Sequence, residues 1–95
     1  MSTRDLFVKN AKEQLDEWNE ELARIEIRLH LGKVAMRDEL EKRTAELRRL
    51  RATAIKELRD IERSGESAWE DRKVGAEQAL SAMQGSLASV RSQFG

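Results

Sequence analysis

Residues 62–73 read "ERSGESAWEDRK", and the fold depends on whether the helix that enters this stretch also leaves it. Several signals favour a turn. Arg63 closes a charged helical segment, and Gly65 suits the left-handed position that terminates helices. Ser67-Ala68-Trp69-Glu70 has the spacing of a capping box. Glu66, Glu70 and Asp71 place negative charge where a new helix N-terminus favours it. Against a turn, the apolar phase runs through Gly65 from Leu58 to Trp69, a continuity that a turn does not require. The stretch alone leaves both readings open.

The surrounding composition is that of helices. The 95-residue chain has no proline, cysteine or tyrosine, and 38% of it is charged. Such usage is typical of coiled coils and long helices, and this length supports one domain, residues 1–95, with a core of marginal size. Eighteen basic and eighteen acidic side chains cancel, so no global field draws the protein to nucleic acid or to an anionic membrane. The first apolar run, Leu6-Phe7-Val8, is too short for the core of a signal peptide. No stretch approaches the ~20 apolar residues of a membrane span. The expectation is a cytoplasmic protein.

Val8, Ala11, Leu15, Trp18, Leu22, Ile25 and Leu29 alternate three and four apart, which places them on one narrow helix seam. Beyond Leu29 the large apolar residues change period. Ile25, Met36, Leu47, Leu58, Trp69 and Leu80 recur every eleven residues, a spacing that gives a straight or faintly right-handed packing line. Ala76, Leu80, Met83, Leu87, Val90 and Phe94 then return to heptad spacing.

A second candidate break is "LHLGKV", residues 29–34. One glycine in a helix costs only ~1 kcal/mol relative to alanine, and no proline or capping residue follows Gly32. The phase also passes from Ile25 to Met36 without a jump. These features favour a continuous helix. A turn here would instead divide the chain into three helices and make a three-helix bundle.

No catalytic, cofactor-binding or metal-ligating set emerges. His30 is the sole histidine and reads as a solvated helix residue, since a metal site needs several ligands at defined spacing. Carboxylate pairs such as Asp16/Glu20 lack the pocket that acid–base chemistry requires. Arg37, Arg48 and Arg59 recur every eleven residues beside the apolar line. They read as arginines covering a seam with their stems, or as a stripe for an anionic partner. The interleaved acids and the lack of stacking aromatics argue against nucleic acid. The C-terminal stretch after Glu77 carries one charge, Arg91, and its small residues suit close helix packing better than a lipid surface.

The segment Ser64-Gly65-Glu66-Ser67-Ala68-Trp69-Glu70-Asp71-Arg72-Lys73-Val74-Gly75 resembles one found in a group of small bacterial coiled-coil proteins. Those carry Ser-Gly-x-Ala-Trp-Glu-Asp-Leu-Lys-x-Gly followed by apolipoprotein-like amphipathic repeats. Here Arg72 stands where that pattern prefers Leu, and Leu80 where a second Trp is common. The resemblance implies a helical fold and a bacterial origin.

The resulting expectation is an all-α coiled-coil hairpin: a helix over about 4–63, a turn at 64–67, and a helix over about 68–93. The alternatives are a three-helix bundle and one continuous helix. In the hairpin, Met36, Leu47 and Leu58 meet Trp69, Leu80, Met83 and Leu87 within the chain. Val8, Leu15, Trp18, Leu22, Ile25 and Leu29 are left to a second chain, because an apolar stripe of that size seeks cover. The function expected is non-enzymatic assembly through helix–helix self-association, most simply as a dimer, or binding of a helical protein partner. The alternative is an amphipathic stress protein that coats lipid or another apolar surface.

Overall fold

The computed structural model describes the backbone of residues 2–31, 34–65 and 67–94, and the side chains of these residues except 30–36 and Phe94. Three α-helices account for nearly all of them: α1 Thr3–Leu31, α2 Val34–Arg63 and α3 Trp69–Phe94. There is no strand among the described residues. The chain forms an all-α up–down–up bundle measuring 51 × 19 × 19 Å, about as long as helices of 26 to 30 residues require.

Two corrections follow. The helix expected over 4–63 is two helices, separated between Leu31 and Val34, so the three-helix alternative replaces the hairpin. Residues 32 and 33 lie outside the described residues. The reason is energetic. Folding back buries seven α1 seam residues from Val8 to Leu29, with Leu22 only 1% exposed. Each large apolar side chain removed from water contributes about 1.5–3 kcal/mol. That gain far exceeds the few hydrogen bonds and the single glycine at stake in keeping one helix straight.

The second correction concerns the period. The buried residues of α2 are Leu40, Thr44, Leu47, Ala54, Leu58 and Ile61, and those of α3 are Trp69, Ala76, Ala79, Leu80, Met83, Leu87 and Val90. Apart from Ala79, which borders the seam, these follow heptad spacing like α1. The eleven-residue line ran through two chain reversals. The apolar residues form one continuous core, and α2 packs closely along both neighbours while α1 and α3 approach each other at few places. Thr44 is fully buried and satisfies its hydroxyl by donating to the Leu40 carbonyl at 2.7 Å.

The opening stretch does turn, but by different chemistry from that expected. Gly65 does not adopt positive φ. Instead the Ser64 hydroxyl donates to the Asp60 carbonyl at 2.7 Å, and the Ser64 N–H to the Ile61 carbonyl at 3.1 Å. The Gly65 carbonyl accepts from the N–H groups of Ala68 and Trp69 at 3.0 and 3.2 Å. Among the described residues no side-chain bond joins Ser67 to Glu70, so the capping box is not formed. Arg4 reaches across from α1 and donates to the Ser64 carbonyl at 2.7 Å, placing a cation at the end of α2 where the helix dipole favours one. At the same end of α1, the Ser2 hydroxyl accepts from the Asp5 N–H at 3.1 Å as an N-cap.

Candidate interaction surfaces

The residues expected to meet a second chain are interior. Val8, Leu15, Trp18, Leu22, Ile25 and Leu29 are all buried within the single chain, so the stripe that called for a partner already has one in α2 and α3. Of the expected intramolecular seam, Leu47, Leu58, Trp69, Leu80, Met83 and Leu87 are buried together. The Met36 side chain lies outside the described residues, as does that of His30. At the turn end of the bundle, Phe7 of α1 meets Trp69 of α3 with ring centroids 5.9 Å apart, and the Lys73 ammonium lies over both rings.

Polar contacts tie the helices at their edges. Lys12 pairs with Glu62 at 2.5 Å, Arg48 with Glu26 at 2.8 Å, and Arg51 donates to Asn19 at 3.3 Å, all across α1 and α2. Arg72 meets Asp60 at 3.8 Å between α3 and α2. Arg91 clasps Glu21 with two donors between α3 and α1. The hydrogen bonds from Arg91 hold the Glu21 carboxyl below its ordinary pKa, against a smaller opposing effect of burial. The same contact raises Arg91. Beside this pair, the weakly packed α1–α3 side has a shallow hollow floored by Ile25, Leu40 and Val90.

The expected arginine stripe separates into different roles. Arg48 is engaged with Glu26 through two donors, which makes it part of the α1–α2 seam. Arg37 and Arg59 are exposed on α2. A second basic series was not anticipated: Lys42, Arg49, Lys56 and Arg63, all exposed. They recur every seven residues, so they share one ridge of α2 about 31 Å long at 1.5 Å per residue, with Ala45 and Ala52 between them. The signal was present in the sequence as a heptad of cations on the side opposite the core.

The outer ridge of α1 has the opposite sign. Glu13, Asp16, Glu17 and Glu20 are exposed there, with Lys9 before them and Arg24 and Ile27 (61% exposed) after them. Among the described residues, no ion pair engages these four acids. The same holds for Lys42, Arg49, Lys56, Arg59 and Arg63. The two ridges lie on the outer sides of adjacent helices, and no ion pair joins them within one chain among the described residues.

No group of acidic, histidine or cysteine side chains that could hold a metal ion exists among the described residues. No described helix is long and apolar enough to cross a membrane. Comparison with protein-family models, with curated proteins and with solved structures finds no match.

Proposed function

We propose that this chain is a non-enzymatic helical interaction module that works in the cytoplasm by associating with copies of itself through its outer helix faces. The observation that carries this reading is the pair of exposed ridges, acidic on α1 and basic on α2, whose charges form no ion pair among the described residues. Charge patterning of this kind directs which surfaces meet more than it adds affinity, and it is the most strongly patterned feature of the surface. The heptad seams serve a different purpose: they close the bundle.

The test is the mass of the purified protein by sedimentation equilibrium or light scattering across a concentration series. Self-association that weakens as salt rises from about 50 mM to about 500 mM supports the reading, since screening lengths shrink over that range. A monomer at every concentration up to about 1 mM, where contacts as weak as about 4 kcal/mol still register, overturns it. Binding to lipid vesicles with a change in helix packing would favour the surface-coating alternative instead. That activity requires the bundle to open, because its apolar seams are interior.

A further inference from the structure

We infer that the partner of the acidic α1 ridge is the basic α2 ridge of a second copy, and that the exchange is reciprocal. This rests on the self-association proposed above and specifies its geometry. A two-fold axis running along the bundle would set α1 of each copy against α2 of the other. A two-fold axis across the bundle would set α1 on α1, acid against acid, and is disfavoured by that repulsion.

An axis along the bundle preserves height, so the heights seen within one chain predict the register between chains. Lys12 lies level with Glu62, and Glu26 with Arg48. At that register Glu13 comes within about 3 Å in height of the partner's Arg59, and Asp16 within about 3 Å of the partner's Lys56. Glu20 falls between the partner's Lys56 and the partner's Arg49, about 3 Å in height from the first and about 8 Å from the second. Further along, the exposed Ile27 comes within about 3 Å in height of the partner's Ala45, and Ala23 lies one turn from Ile27 on the same helix. These small side chains let two helices approach without steric conflict. An acidic ridge about 10 Å long set against part of a longer basic ridge, with no ion pair joining the two among the described residues, is the kind of complementarity that an isologous dimer uses.

The arrangement can be tested by exchanging charges between copies. One variant carries Glu13→Lys, Asp16→Lys and Glu20→Lys, so both of its ridges are basic. The other carries Arg49→Glu, Lys56→Glu and Arg59→Glu, so both are acidic. Each alone is expected to be monomeric, with self-association weakened at least about tenfold. Mixed in equal amounts they should form a heterodimer, since each then offers what the other lacks. Heterodimer formation also shows that both variants are folded, and thermal melts in the far-ultraviolet confirm it for each alone. If either variant self-associates as the parent does, or if the folded pair fails to combine while the parent dimerises, this interface is wrong and self-association by another face stands. If the parent itself remains monomeric, the functional reading fails together with its geometry.

Discussion

Leu22→Ala separates a bundle closed within one chain from a seam shared between chains. Leu22 lies at the middle of the α1 heptad, 1% exposed, in a core that draws on all three helices. Truncation removes its terminal methyl groups from that core and leaves a void that the neighbours fill only in part. Changes of this kind cost roughly 3–5 kcal/mol at fully buried sites. A chain of this length has a total stability of about 5–14 kcal/mol, so the loss is a large fraction of the whole. At about 4–8 °C per kcal/mol for a domain this small, the melting midpoint should fall by at least ~12 °C. Ile27→Ala is the control: five residues along the same helix but 61% exposed, it should change stability by no more than about 0.5 kcal/mol. Melting is followed by far-ultraviolet circular dichroism at about 500 mM salt, where ridge pairing is screened, at two concentrations about a hundredfold apart. A seam shared between chains would make the midpoint rise with concentration by mass action. A concentration-dependent midpoint under these conditions, or a loss at Leu22 no larger than that at Ile27, would refute the intramolecular core.

Other substitutions probe particular elements. Gly85 is exposed in the middle of α3, and a Cβ added there meets nothing within 4 Å. Gly85→Ala should therefore stabilise the protein by about 0.5–1 kcal/mol, read as a higher denaturant midpoint with an unchanged slope. The Ser86 hydroxyl is buried with no hydrogen-bond partner among the described residues. Ser86→Ala relieves that cost and improves helix propensity, and should stabilise by about 1 kcal/mol, where a loss would mean that the hydroxyl is satisfied. The carboxyl of Glu21 titrates below its ordinary value because Arg91 donates to it. A depressed carboxyl stabilises the fold above the ordinary carboxylate range, and that contribution is lost as pH falls through the depressed value. The gap in melting midpoint between the parent and Arg91→Ala should accordingly narrow in acid, and the Glu21 carboxyl resonance should titrate closer to its ordinary range in the variant.

How much of this was legible differs from helix to helix. The α1 seam was readable in full because all seven positions from Val8 to Leu29 are apolar and strictly spaced, and all seven are buried. In α2 the seam includes Thr44 and Ala54, both 0% exposed, which a search for large apolar side chains passes over. Among the large residues that remain, Leu47 and Leu58 lie eleven apart and simulated a period continuous with the other helices. The break between Leu31 and Val34 is invisible to local signals, since its cause is the core that folding back creates. The turn before Trp69 was legible, but its mechanism was not: Ser64 and the Gly65 carbonyl carry the hydrogen bonds. The charged ridges were hidden by interleaved charges of the other sign. Only the fold shows that Asp60 is taken by Arg72 and Glu39 by Arg43, while the cations at 42, 49, 56 and 63 keep one outward line.

The most direct test of the central claim, a bundle completed within one chain, is zero-length carbodiimide cross-linking of the contact between Lys12 and Glu62, which lie 2.5 Å apart across α1 and α2. Isotope-heavy and isotope-light copies are mixed, allowed to exchange, cross-linked and read by mass spectrometry. The account predicts a Lys12–Glu62 amide whose two peptides always carry the same label. The cross-linking is done at about 500 mM salt and low protein concentration, where pairing between the ridges of two copies is screened. Peptides of mixed label at that linkage would then mean that the Lys12–Glu62 contact itself joins two chains, and would contradict the account.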